Sequence, residues 1–272
     1  MHAASRDALA QVTAHLDTAL GSSGDTVATA AQLGTELFDV VEVLDGDRGL
    51  RVAVANASAT PEQRVRLIAD VFGGKVSEAT LEILKDSVEK TWSTPRELRQ
   101  GLVTIGRRSL FRAAEQQGQL EQVEDELFRL SRILDREGRL TQLLSDRTAS
   151  PTKRRELLAN VLYGKVTSVT EALALQAVGR PERTPIDDVA ALAESAAALR
   201  DRTVAHVVAA GELSETQEST LAEKLGRIYG KQMSIHAEVD PDLLGGMVIR
   251  VGDEVIDGST SGKLQRLRAH LV

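Results

Sequence analysis

A repeat at an offset of 90 residues constrains the fold of this chain more than any other feature. Residues 32–76 and 122–166 share sixteen identical positions without a gap, and Thr94-Pro95 recurs as Thr184-Pro185. The shared positions include two prolines, a glycine and a helix cap, which unrelated amphipathic helices do not place in one common register. The sequence therefore predicts two homologous helical units in tandem.

Helical periodicity and capping residues outline the first unit. Leu9, Val12 and Leu16 share one face of a helix predicted over residues 5–20. Thr60-Pro61 and Thr94-Pro95 each place an N-cap residue before a proline at the first helical position, where the missing N–H costs no hydrogen bond. Aromatic residues make up only 3% of the chain, which is typical of helix bundles with aliphatic cores. Further helices are predicted at about 27–44, 50–57, 61–72, 77–92 and 95–117.

The composition limits the classes of function. A net charge of −7 argues against a nucleic-acid partner, because a general nucleic-acid binder needs a basic surface. The chain has no cysteine and therefore neither a disulfide framework nor a thiolate site. No apolar run approaches the roughly 18 residues of a membrane span, and the first residues hold no apolar signal segment. We expect a cytoplasmic protein that reaches a membrane only through partners.

Residues 233–259 combine a strand, a turn and a hairpin. Alternating apolar and polar residues predict a half-buried strand that ends at Asp240-Pro241. Two adjacent glycines follow, where the backbone can adopt a positive φ or pass close to another backbone. A second strand, a turn and a return strand come next. The positions that define this motif are Asp240, Gly245, Gly246, Arg250, Gly252 and Gly258.

The spacing of this motif resembles the C-terminal signature of the delta subunit of F-type ATP synthases, which is called OSCP in mitochondria. The match covers Met233, Ile235, Val239, Leu243, Met247 and Ile249 as well as the motif positions. Ordinary members have one helical bundle before their C-terminal domain, whereas this chain has two. The length and the repeat resemble the actinobacterial type, with a duplicated N-terminal bundle.

The sequence and the resemblance together predict a mainly α fold. Two tandem homologous helical bundles occupy residues 1–96 and 97–200, and a small α/β domain of β-α-β-β-β-α order occupies residues 201–272. The second bundle carries Gly179-Arg180, which resembles the Gly-Arg that closes the fifth helix in ordinary members. Residues 263–271 form the last predicted helix, which is amphipathic and basic.

The search for chemistry finds no catalytic, cofactor-binding or metal-binding residues. Gly73-Gly74-Lys75 lacks the other positions of a phosphate loop and is better explained as a helix end. Asp45-Gly46-Asp47 lacks the glycine and the glutamate of a calcium loop. The five histidines have no metal-ligand spacing. We therefore expect a protein that is not an enzyme and needs no cofactor.

The resemblance implies a stator subunit of a proton-translocating F-type ATP synthase. Its N-terminal bundle would hold the N-terminal helix of an alpha subunit at the top of the alpha-beta head. Its C-terminal domain would bind the b-type peripheral stalk, so that proton-driven rotation is coupled to ATP synthesis. The chain would lie peripherally at the cytoplasmic face of the cell membrane. One alternative is a free-standing helical-repeat adaptor for another amphipathic helix, and a small-molecule enzyme is a more remote one.

The resemblance also implies candidate interface residues, although most of them must also serve the cores of the bundles. In ordinary members the alpha helix lies across the first and fifth helices of the bundle, and which copy takes that role here stays open. The first copy offers Leu9, Val12, Leu16, Leu81, Ile83 and Leu84; the second offers Leu102, Ile105, Leu110, Leu173, Leu175 and Val178. For the stalk, the candidates are Leu264 and Leu267, beside the basic Lys263 and Arg268.

Overall fold

A computed structural model of the chain describes residues 1–22, 26–200, 202–230, 232–241, 243, 245–252, 254–260 and 262. The helices of these residues are α1 (Ala3–Ser22), α2 (Thr26–Gly46), α3 (Arg48–Val54), α4 (Pro61–Phe72), α5 (Glu78–Glu89), α6 (Pro95–Gln116), α7 (Leu120–Arg136), α8 (Gly138–Ser145), α9 (Pro151–Leu162), α10 (Ser168–Gly179), α11 (Pro185–Leu199) and α12 (Glu215–Tyr229). The strands are β1 (Arg202–Ala209), β2 (Gln232–Val239), β3 (Met247–Val251) and β4 (Glu254–Asp257). The predicted mainly α fold with a small C-terminal α/β part is confirmed. The helix predicted over 263–271 lies outside the described residues.

The helices repeat at the offset found in the sequence. The starts of α3, α4, α5 and α6 recur 90 residues later as the starts of α8, α9, α10 and α11. The capping chemistry recurs with them, because Thr60, Thr94, Ser150 and Thr184 each accept a backbone hydrogen bond at a helix N-terminus. The last three of these helices therefore begin with the same side-chain capping in both copies, whereas Asp47 caps α3 and no side chain caps α8.

Contacts divide the chain into two compact units. Unit 1 comprises Met1–Leu120 and Thr148–Arg180, and unit 2 comprises Glu121–Arg147 and Pro181–Val272. The backbone thus passes from one unit to the other three times. These two units differ from the three segments that the sequence predicts. The three-segment division describes homology between parts of the sequence and stays a prediction.

Unit 1 is centred on the close packing of α2 against α6. A Cβ added to Gly34 would lie 2.9 Å from the carbonyl oxygen of Gly106, so both helix backbones approach more closely than larger residues would allow. Around this contact, Leu33, Leu37 and Ile105 are at most 1% exposed. The apolar stripes predicted from the sequence therefore form one aliphatic core.

Unit 2 contains a four-stranded sheet in the order β2-β1-β3-β4. Strand β1 is parallel to β2 and antiparallel to β3, and β3 forms a hairpin with β4. Helix α12 covers one face, where Val207, Leu225 and Ile249 pack in a small apolar core. The residues that alternate with these, including His206 and His236, face the opposite side. The described part of the chain contains no helix that is both long and apolar enough to cross a membrane.

Candidate partner-binding surfaces

The glycine motif forms the corner between β2 and the β3–β4 hairpin. Gly246 has a φ of 80°, and a Cβ there would lie 2.4 Å from the carbonyl oxygen of Gly258. The carbonyl of Gly245 accepts a hydrogen bond of 2.9 Å from the backbone N–H of Thr260. The backbone N–H of Asp240 donates to Ala209 at 2.9 Å and ends the pairing of β2 with β1. The motif therefore shapes the backbone of the sheet.

The other two motif positions have different surroundings. Gly252 has a φ of 58° at the tip of the β3–β4 hairpin, where a positive φ favours glycine. Arg250 extends from β3 and is exposed. The role of these six residues as a binding signature stays a prediction.

Most of the predicted interface residues lie in the protein core. Their burial gives them a packing role in the isolated chain, so their contact with a partner stays a prediction. Leu9 and Leu175 are partly exposed. Leu264 and Leu267 lie outside the described residues. Those at most 8% exposed are Val12, Leu16, Leu81, Ile83, Leu84, Leu102, Ile105, Leu110, Leu173 and Val178.

An apolar groove of about 330 Å³ lies on unit 1 between α2 and the α9–α10 pair. Val103 of α6 is 1% exposed and lies at its base. Phe38 of α2 lines one side, and Ala172 and Leu175 of α10 line the other. A concave surface with aliphatic and aromatic lining is the kind of site that accepts the apolar face of an amphipathic helix.

The two copies differ at the residues that line this groove. Leu175 of α10 corresponds to Lys85 of α5, and Ala172 corresponds to Glu82. Lys85 and Glu82 form a surface ion pair of 2.7 Å. Hence the outer face of α5 is charged, whereas the same face of α10 is apolar. A position-by-position comparison of the two copies would have found this difference in the sequence.

Charged residues border the groove. Arg155 of α9 contacts Glu42 at 2.9 Å, and Arg180 at the end of α10 contacts Asp45 at 2.8 Å. These pairs join α9 and α10 to α2. Burial raises the pKa of Asp39 at the same border, the neighbouring Glu42 carboxylate raises it further, and Arg155 only partly offsets this. A basic group on a partner would relieve this crowding of carboxylates.

Unit 2 contains a buried polar network that attaches α7 to the sheet. The Glu124 carboxylate is fully buried and accepts hydrogen bonds of 2.8 Å from His236 Nε2 and 2.8 Å from an Arg200 Nη1, and a further one from Ser234. Burial alone would raise the pKa of Glu124, but these hydrogen bonds outweigh burial and lower it. The carboxylate therefore stays charged and fixes α7 on the polar face of the sheet.

Neither unit presents an arrangement typical of catalysis. Among the residues that the structure describes, no group of three or more histidine, aspartate or glutamate side chains could hold a metal ion. The sequence offers no cysteine nucleophile. Glu124 and His236 are each 1% exposed, and both are engaged in packing.

Comparison with known proteins places these features in a family context. Residues 108–271 match the model of the family described as ATP synthase delta (OSCP) subunit. This match begins within α6 and covers most of the second copy as well as the sheet.

Several relatives resemble the chain along its whole length. The ATP synthase subunit delta of Corynebacterium efficiens is 74% identical over 269 residues, covering 99% of this chain and 98% of that protein. The subunit of Corynebacterium glutamicum (strain R) is 71% identical over 269 residues and covers 99% of both chains. The subunit of Corynebacterium diphtheriae is 66% identical over 272 residues and covers 100% of both chains. In a cryo-EM structure of the Toxoplasma gondii mitochondrial ATP synthase hexamer, one chain is similar with a TM-score of 0.37 and 20% identity, covering 61% of this chain and 94% of that chain.

Proposed function

Because the chain belongs to the ATP synthase delta (OSCP) subunit family, we propose that it is a stator subunit that links the alpha-beta head to the b-type peripheral stalk. Delta subunits are structural and non-catalytic. In this role the chain prevents the head from turning with the rotor, so that proton flow drives ATP synthesis. It works peripherally at the cytoplasmic face of the cell membrane. The observation that carries the proposal is the full-length similarity to delta subunits.

The groove on unit 1 is the proposed docking site for the N-terminal helix of an alpha subunit. By the 90-residue offset, α6 and α10 are the first and fifth helices of the second copy, and both contribute to the groove. The apolar Leu175 supports the choice of the second copy, because its counterpart Lys85 is charged. The first copy then contributes α2, which forms the side of the groove opposite α10. This assignment gives the duplication a physical purpose.

Replacing Leu175 with lysine tests the docking site. The substitution installs the residue of the first copy, and we expect it to weaken binding of a synthetic alpha N-terminal peptide about tenfold or more. Fluorescence anisotropy with labelled peptide measures the affinity, and circular dichroism checks the fold. Lys85→Leu is the matched control and should leave the affinity unchanged. Equal affinities for the wild type and Leu175→Lys would refute the site.

Cosedimentation tests the stator role as a whole. The full chain should cosediment with a purified alpha-beta head and should capture the b subunit in a pull-down. Replacing both Leu264 and Leu267 with aspartate should abolish capture of the b subunit while retaining head binding, because the two partners use different surfaces. A chain that cosediments with neither partner would contradict the stator proposal.

A further inference from the structure

A second cavity lies within unit 2 and has no part in the proposed docking. It measures about 650 Å³ and lies between α7, α11 and the polar face of the sheet. Valines of β1 and β3 and Phe128 of α7 form its apolar lining. The polar side chains around it are Ser131, Arg132, Glu194, His206, His236, Glu238 and Arg250.

Three basic residues form one row across the sheet in this cavity. His206 of β1 is directly opposite His236 of β2 in the parallel register and directly opposite Arg250 of β3 in the antiparallel register. Residues opposite each other on neighbouring strands share a face of the sheet. The two imidazole rings have centroids 5.7 Å apart, and the His236 ring lies 4.2 Å from the ring of Phe128. Basic groups are therefore crowded on one small surface.

The nearby carboxylates balance the positive charge of this basic row only in part. Glu124 accepts from His236, and Glu238 is engaged by Arg132 at 2.8 Å and by Arg136 at 3.5 Å. No carboxylate of the described residues pairs with the guanidinium of Arg250. Two further nitrogens, Nδ1 of His236 and Nε of Arg132, are buried without a hydrogen-bond partner in the described structure. Buried polar groups normally have partners, and Nε of Arg132 is an N–H donor, so it indicates an unmet demand for an acceptor.

The protonation of His206 reflects the same crowding. Burial and the positive charges of His236, Arg132 and Arg250 lower the pKa of His206 to about 4, and Glu238 offsets this only slightly. At neutral pH the His206 imidazole is therefore uncharged. An anion in the cavity would reverse the electrostatic balance and favour the protonated ring.

We propose that this cavity binds a small oxyanion, with the guanidinium of Arg250 as its fixed cation and His206 as a donor that takes up a proton on binding. Guanidinium and imidazolium groups are the usual protein donors for phosphate and carboxylate oxygens. Glu194 of α11 opposes binding, because it is the exposed carboxylate of the lining that has no ion pair in the described structure.

The proposal has a definite pH dependence. The charged and titratable groups around His206 are Arg132 from α7, His236 and Glu238 from β2, Arg250 from β3 and Glu194 from α11. Glu124 of α7 pairs with His236. Arg132 and Arg136 outweigh the effect of burial and lower the pKa of Glu238, so this carboxylate stays ionised as the pH falls. Because the pKa of His206 is about 4 and is expected to rise on binding, proton uptake accompanies binding mainly below about pH 6, and the affinity for the oxyanion should increase as the pH falls from about 6 towards 4.

Histidine titration by NMR tests the site on the full chain. The probes are inorganic phosphate, acetate and chloride at matched ionic strength. We expect phosphate or acetate to raise the pKa of His206 by about one unit or more, whereas chloride leaves it near its low value. Response to phosphate alone would identify a phosphate site, and response to both would identify a general oxyanion site. The absence of a selective shift would overturn the proposal.

Three variants separate a change in anion binding from a general loss of folding, because they are expected to change the anion affinity in different directions. Arg250→Gln should weaken anion affinity about tenfold or more through loss of ionic hydrogen bonds, and Glu194→Gln should strengthen it through loss of repulsion. Arg227→Gln is the control, because Arg227 is an exposed arginine of α12 outside the cavity. If Arg250→Gln and Arg227→Gln had equal effects, or if Glu194→Gln weakened binding, the site would be ruled out.

Discussion

At the scale of single residues, Gly246 has the strictest conformational requirement in the motif. Its φ of 80° strains any residue with a side chain, and a Cβ would meet the carbonyl of Gly258 at 2.4 Å. We expect Gly246→Ala to destabilise unit 2 by about 2–4 kcal/mol, from the combined strain and clash. Hydrogen exchange of β3 and β4 would measure the loss. Gly211→Ala is the control, since a Cβ at Gly211 meets nothing within 4 Å, and it should be nearly neutral.

His206 predicts an acid sensitivity of unit 2. Its pKa in the folded protein is about 4, below the roughly 6.5 of an unfolded histidine, so the unfolded state binds more protons between these values. This contribution to stability is complete above pH 6.5 and declines as the pH falls towards 4, by about 1–2 kcal/mol after discounting for solvent screening. His206→Gln should remove this part of the slope in urea unfolding measured at pH 7, 6, 5 and 4. An unchanged slope would show that His206 is not its origin.

At the scale of elements, the repeat supplies an internal comparison between two buried arginines. Arg64 joins α4 to α5 through hydrogen bonds to the carbonyls of Val88 at 2.7 Å, Glu89 at 3.1 Å and Ala59 at 2.6 Å. Arg154 in the second copy has one bond of 3.5 Å to Gly179, while its Nε and one Nη are buried without partners in the described structure. The buried arginine therefore links α4 firmly to the end of α5, whereas the corresponding arginine makes only one long hydrogen bond to the end of α10.

This difference predicts unequal effects of the same substitution. Arg64→Met should destabilise the α4–α5 pair by about 2–4 kcal/mol, because several charged hydrogen bonds are lost. Arg154→Met should cost little, because it also removes two unsatisfied buried groups. Hydrogen exchange of α4–α5 and α9–α10 measures each effect locally. Equal protection losses in the two variants would contradict the comparison.

Most helix starts could be predicted because a capping residue lies next to each of them in the sequence. Helices α4 and α6 begin where the sequence predicted, at Pro61 and Pro95, because the N-cap residue that precedes each proline acts locally. The short third helix begins earlier than predicted, at Arg48, because the Asp47 side chain caps it by accepting from Leu50. Periodicity shows which face of a helix is apolar but not what covers that face. Val12 and Leu16 were thus candidates for a partner surface, although they lie in the core.

At the scale of the whole molecule, homology and contact divide the chain differently. The second copy is one segment of sequence, yet α9 and α10 belong to unit 1 whereas α7, α8 and α11 belong to unit 2. Specific side chains account for this. Arg180 attaches α10 to α2 in unit 1, and Glu124 attaches α7 to β2 in unit 2. None of these pairings is encoded by periodicity, so the repeat alone could not have predicted the grouping.

The three passages of the backbone between the units have a mechanical consequence. They fall at Leu120–Glu121, Arg147–Thr148 and Arg180–Pro181. Tension that pulls one unit from the other is shared among three peptide segments, whereas two domains joined by a single linker place it all on one. A break in any one segment leaves the units tethered by the remaining two. In the proposed stator role, this redundancy would help the chain to withstand torque.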